Sequence, residues 1–339
     1  MIQINGDLCH KNIVKNLKPS LSYDKDKSFD EQKAAIDAKL RELLGLDLIE
    51  ANACEPDLTI EEDIMMDGYR RIRFVFFSEP ETPVPCYLLI PDTGKEKYPV
   101  AITLQGHSTG FHNSIGVAKY DRDNNYLPRG AFGLQAVENG FIALCIEQRS
   151  MGERKPPNPS DGAHGCCFQT HNAFMLGRTT IGERVHDISR AIDLLSNFEQ
   201  CDLDKILITG NSGGGTASYY AACIDERIKI CVPSCAFCPY EDSIMAMLHC
   251  GCNYIPSARR YFEMQDLACL IAPRKLAIVS GNLDSIFPID GVKRGYETVK
   301  EIYAAAGVPE NATLTITPKE HWWCVDIVWP LIKKVSGWV

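Results

Sequence analysis

The clearest hydrophobic pattern in the chain is a rhythm of short apolar runs separated by amphipathic stretches. VAITLQ (100–105), FIALCIE (141–147), KILITG (205–210), IKICVP (228–233) and KLAIVSG (275–281) are β-branched, nearly continuous apolar segments bounded by Gly, Pro or charge. Runs of that length read as strands buried on both faces. Residues 130–139, 181–198, 289–306 and 321–335 read as helices, with LTIT (314–317) as a last strand before the final one. Alternation of buried strands with helices predicts an α/β fold with a mostly parallel central sheet and helices on both faces. Ahead of it, LTIEED, YRRIRFVFFSE and VPCYLLIP (58–91) are extended runs broken by proline and charge. They predict antiparallel hairpins entering the sheet.

Residues 1–57 are expected to form a helical extension packed on the core. Residues 1–28 are mixed and polar and predict little. Ser28 is placed to cap a helix over 29–44, with Glu31 three residues on as in a capping box. Ala35, Ile36, Leu40, Leu43 and Leu44 give that helix one apolar face, and Gly45 stops it. Two stretches, 150–180 and 234–266, do not fit the strand–helix rhythm. Long insertions after strands commonly form lids or pocket walls. With no internal repeat and no low-complexity linker, 58–339 reads as one catalytic domain carrying both insertions.

Charge and cysteine content narrow the setting. Thirty-five Lys and Arg against 44 Asp and Glu leave a net charge of −9 among 339 residues. A nucleic-acid partner is therefore disfavoured. No run approaches the roughly 18 apolar residues of a membrane span, so no membrane association is expected. The 15 cysteines, with no basic-then-apolar segment ahead of them, point to a reducing, cytoplasmic location where thiols stay free.

The run KILITG continues into NSGGGTASYYAA. A buried strand, a sharp Gly-flanked turn and a small-residue helix are the setting in which G-x-S-x-G forms a nucleophile elbow. Ser212 is the candidate nucleophile; the competing reading is a plain Gly-Ser turn. Its hydroxyl needs a base, and the elbow class supplies partners in the order Ser, Asp or Glu, His. Downstream there are two histidines, His249 and His321. His321 follows the final predicted strand and is the candidate base, whereas His249 sits inside an insertion. Asp284 emerges from the C-terminal end of KLAIVSG and is the candidate acid. Asp290 fits better as the cap of the following helix. Oxyanion donors are expected from the amides of Gly213 and His107, with Ser108 as the alternate to His107.

These motifs resemble those of the α/β-hydrolase fold superfamily, and more narrowly those of bacterial acetyl xylan esterase-like and dienelactone hydrolase-like proteins. The resemblance is carried by LQGHSTG, EQRSMGER, GNSGGG, LIAPRKLAIVSGNLDSIFP and KEHWW and spans about residues 70–335. The sequence departs from it at Glu147 and Ser150, where many members have Asp and Gly. The resemblance implies Ser212, Asp284 and His321 as a triad working through an acyl-enzyme, with no metal or cofactor. Arg149 would then brace its loop; a pocket role toward a substrate carboxylate is the minority reading. Trp322 or Trp323 is a candidate pocket wall beside His321, against the ordinary reading of buried tryptophans. His164 and His171 are candidates for substrate contact or plain surface residues.

A rival constellation comprises Cys231, Cys235, Cys238, His249, Cys250 and Cys252, whose residue types suit zinc. The strand position of Cys231 and the one-residue gap in HCGC argue against a shared tetrahedral site. The resulting expectation is a serine ester hydrolase acting on a small-molecule ester such as an acetylated saccharide. A serine peptidase of the prolyl oligopeptidase kind and a non-catalytic ligand-binding protein of the same fold are the alternatives.

Overall fold

The computed structural model describes residues 4–157 and 166–339. Three helices lead the chain: α1 (Asp7–Asn16), α2 (Phe29–Leu44) and α3 (Leu46–Ala51). Strands β1 (Thr59–Met66), β2 (Tyr69–Glu79) and β3 (Thr82–Pro91) follow as an antiparallel meander. Then come β4 (Tyr98–Leu104), α4 (Phe132–Glu138), β5 (Ile142–Ile146), α5 (Cys166–Met175), α6 (Thr180–Asp193), β6 (Cys201–Asn211) and α7 (Gly213–Ile224). The chain closes with β7 (Ile228–Ser234), α8 (Ala268–Ile271), β8 (Lys275–Gly281), α9 (Ile289–Ala305), β9 (Ala312–Thr317) and α10 (Val325–Ser336).

The strands form one sheet in the order β1-β2-β3-β5-β4-β6-β7-β8-β9. β5 joins its two parts, pairing antiparallel with β3 and parallel with β4. From β5 to β9 every pairing is parallel. Alternating side chains of the central strands feed separate cores. Ile206 and Ile208 of β6 pack with residues of α2, α6, α7 and α9, while Leu207 packs with those of α4 and α10. Each such side chain contributes about 1.5–3 kcal/mol on burial.

α2 has the predicted bounds. Ser28 Oγ accepts the Glu31 N–H at 3.4 Å, and Gly45 turns left-handed at φ +71°. The helical path nevertheless resumes at once as α3, whose Leu46 and Ile49 join the same core as Ile36, Leu40 and Leu44. The structure departs from the sequence reading at the N-terminal ends of the last two helices. The last helix starts at Val325 rather than 321, because Trp323 is anchored in the core by a hydrogen bond to Gln135 and the segment before α10 stays irregular. Asp290 is not the cap of α9: Pro288 holds that position and Asp290 lies in the first turn, where its charge suits the helix dipole.

β1 is mostly exposed and lies at one edge of the sheet. Its acidic residues pair across the strand with β2: Asp63 with Arg70 at 2.5 Å, Glu62 with Arg71 at 2.7 Å and Glu61 with Arg73 at 2.6 Å. The 234–266 stretch contains short 3-10 turns, and its Phe262 and Met264 reach the core.

Candidate active site

β6 ends and α7 begins at Ser212, whose backbone stands at φ +57° and ψ −125°. A non-glycine residue held there stores about 1–3 kcal/mol of strain, so its surroundings must enforce it. The Ser212 N–H donates to the Ser234 carbonyl at 2.9 Å, and its own carbonyl accepts the Thr216 N–H at 2.8 Å. The start of α7 also presses against β4. A Cβ at Gly214 would lie 2.1 Å from the Leu104 carbonyl oxygen, so only glycine fits.

Asp284 follows β8 and His321 follows β9. The two loops touch, since a Cβ at Gly281 would lie 2.1 Å from the Glu320 carbonyl oxygen. Asp284 Oδ1 accepts the N–H groups of Ile286 at 2.8 Å and Phe287 at 3.1 Å. Its Oδ2 lies 2.8 Å from His321 Nδ1. Burial pushes the Asp284 carboxyl upward, but the His321 hydrogen bond and charge, together with those amides, hold it below the usual range. The His321 ring stacks on Phe287 with centroids 5.8 Å apart.

Ser212 and His321 both line a cavity of about 540 Å³ beyond the C-terminal ends of the parallel strands, the usual ligand position in such sheets. Gly213, His107, Ser108 and Trp323 also line it. The Ser108 N–H donates to the Gly106 carbonyl at 2.7 Å. The His107 ring packs against Gly213, where a Cβ would sit 3.0 Å from its Cε1 and Nδ1.

Arg149 lies away from the cavity. It is buried and ion-paired with Asp187 at 3.0 Å, Glu79 at 2.6 Å and Glu183 at 3.5 Å. Ser150, next to it, stands at φ +70°, a conformation that favours the glycine of the resembling family. Of the two tryptophans, Trp323 is buried against Phe132 and faces the cavity. Trp322 is 43% exposed and carries the Arg129 guanidinium 3.1 Å above its ring. Arg129 itself lines the cavity, and its Nη1 is buried without a hydrogen-bond partner among the described residues. Nothing in the sequence singled it out, because the loop before α4 has no periodicity or motif. Insertion residues Cys167, Met247, Leu248 and His249 complete much of the wall. His171 is exposed and His164 lies outside the described residues.

The fold divides the cysteine group read from the sequence. Cys231 donates to the Ser218 carbonyl in the core, and Cys238 is also buried there. Cys235 approaches Asp284 and His321. His249 meets Ser243 Oγ at 3.2 Å. Cys250 and Cys252 instead join His107 and Cys166.

The model of the Abhydrolase family matches residues 5–321. The chain belongs to that family. This Abhydrolase is 24% identical over 258 residues to the Bacillus subtilis (strain 168) protein named "Putative hydrolase YtaP", covering 75% of this chain and 83% of that one. A solved structure from Bacteroides fragilis, titled a "putative acetyl xylan esterase", matches with a TM-score of 0.82 at 17% identity, covering 98% of this chain and 96% of the other. The acetyl xylan esterase from Paenibacillus sp. R4 matches at 0.60 and 16%, covering 97% and 99%. At those identities the likeness shows a shared fold: the α/β-hydrolase architecture, with an antiparallel entry and a parallel body. No helix among the described residues is long and apolar enough to cross a membrane.

Proposed function

We propose that this Abhydrolase is a serine carboxylic-ester hydrolase that removes acetyl groups from a saccharide or similar small ester. The carrying observation is the 2.8 Å contact of His321 Nδ1 with Asp284, in a cavity that His321 shares with the strained Ser212. With Nδ1 taken by the carboxylate, Nε2 is the nitrogen left to accept a proton. His321 takes the Ser212 proton as Oγ attacks the ester carbonyl, and Asp284 steadies the imidazolium. The amides of Gly213 and His107 receive the developing oxyanion. The alcohol leaves with the proton from His321, and a water activated by the same ring then releases acetate from the acyl-enzyme.

The acetylated-saccharide part rests on the titles of the Bacteroides and Paenibacillus neighbours and on the cavity's character. Its volume lies within the range of ordinary small-molecule sites. Trp323, Phe132 and Phe287 offer apolar faces, while Asn113, Asn253 and Arg129 offer polar groups to hydroxyls.

The test is acetate release from an aryl acetate by wild type and Ser212→Ala. A loss of about 10³-fold or more in kcat is expected. Undiminished activity in the variant discards the mechanism, and cleavage of an aminoacyl anilide but no ester would put a peptidase in its place.

A further inference from the structure

Arg184 of α6 is 1% exposed. Its Nε and Nη2 donate to the Arg149 carbonyl at 3.2 and 2.9 Å, and Nη2 also reaches Cys166 Sγ at 3.6 Å. Its Nη1 has no hydrogen-bond partner among the described residues, and the charge-bearing side chains beside the guanidinium there are cysteines, Cys252 foremost. A buried guanidinium without a counter-charge is strongly unfavourable. What surrounds it among the described residues is sulfur, from Cys166, Cys250 and Cys252.

Cys166, Cys250, Cys252 and the His107 imidazole each offer a donor atom, and all four atoms lie within 4.8 Å of one another. His107 Nε2 is 3.2 Å from Cys252 Sγ, which is 3.4 Å from Cys250 Sγ. Around a tetrahedral zinc, with bonds of about 2.3 Å to sulfur and 2.0 Å to nitrogen, donors stand about 3.5–3.8 Å apart. The observed cluster needs only small side-chain rotations to reach that spacing. Three thiolates and a neutral imidazole around Zn²⁺ leave one net negative charge. Arg184 supplies one positive charge beside them.

We propose that His107, Cys166, Cys250 and Cys252 bind a zinc ion, with Arg184 as its buried counter-charge. Soft thiolates with an imidazole favour zinc over the hard cations magnesium and calcium. Four protein ligands make a closed site without an open position for substrate, so its role is structural. It joins three separate stretches: the loop after β4, the start of α5, and the 3-10 turn at Gly251–Asn253. Two of these carry the insertions that wall the cavity, and the third holds the His107 ring against Gly213. The site does not depend on Ser212 being the nucleophile.

The test is elemental analysis of the full chain expressed with added zinc, reduced, and dialysed into metal-free buffer. About one zinc per chain is expected for wild type, Ser212→Ala and Cys231→Ser, falling to less than about a fifth in Cys166→Ser and Cys252→Ser. Should those two variants fail to fold, wild type loaded with Co²⁺ decides the matter. Thiolate-to-cobalt charge transfer and the intense visible bands of a tetrahedral site support the proposal, and their absence overturns it. Sub-stoichiometric zinc in wild type, full zinc in both cysteine variants, or a disulfide among the three cysteines in the as-isolated protein also overturns it.

Discussion

His321 Nδ1 lies 2.8 Å from Asp284 Oδ2, while the other oxygen of that carboxylate is occupied by the amides of Ile286 and Phe287. Both oxygens of the carboxylate are therefore held. Asp284→Asn keeps the shape but offers an amide where the imidazole N–H needs an acceptor. The expected outcome is a kcat lower by about 10³–10⁴ on an aryl acetate with an unchanged circular dichroism spectrum. A loss under tenfold would remove Asp284 from the role. Its depressed pKa also gives the sign of a stability effect: the contribution is present above the ordinary carboxylate range and is lost as pH falls through the folded value.

Glu147 behaves in the opposite sense. Burial raises its carboxyl to about 7, although it accepts the amides of Phe111 and Glu153, both at 3.2 Å. Between its ordinary value and 7 the folded protein retains a proton that the unfolded chain has released. Stability therefore falls as pH rises through that window, by up to about 3 kcal/mol. Glu147→Gln keeps an acceptor and removes the titration. Urea unfolding should show the variant more stable by about 1–3 kcal/mol at pH 8, with the gap closing toward pH 5. Parallel pH profiles would contradict this.

Gln135 ties the cavity wall to the core. Its Oε1 accepts both indole N–H groups, from Trp323 at 2.9 Å and Trp329 at 3.1 Å, while Nε2 donates to the carbonyls of Pro128 and Arg129. Gln135→Leu strands two buried donors and should cost about 2–5 kcal/mol in urea unfolding. A cost below about 1 kcal/mol would mean that the indoles find other acceptors.

Arg129 presents a partly unpaired guanidinium to the cavity from its seat on Trp322. Arg129→Ala should raise KM for an acetylated saccharide about tenfold, the scale of one charged hydrogen bond, and leave an aryl acetate nearly unaffected. Equal effects on both substrates would assign Arg129 to packing alone.

The strand rhythm and the elbow were legible because each rests on local chemistry. KILITG needs no distant partner to read as a buried strand, and Gly210, Gly213 and Gly214 mark the turn around Ser212. Asp284 was legible from its place just after β8. Contacts assembled from distant segments were not. Cys166 lies in one insertion and Cys250 and Cys252 in another, so no spacing joins them to His107. Arg184 sits in an amphipathic helix, where a long cation ordinarily reaches solvent. Arg129 and Gln135 acquire their surroundings only when Trp322 and Trp323, ahead of α10, and Trp329, within it, come against the start of α4.

The outer rim of β1 has a further consequence. A nine-stranded ribbon that never closes on itself leaves peptide groups available along its borders, where another molecule could add strands without limit. Here Glu61, Glu62 and Asp63 occupy that border, each matched by an arginine of its own chain. Charged side chains along an exposed strand are one way such borders are kept from pairing with copies of themselves, and these ion pairs place both signs of charge there.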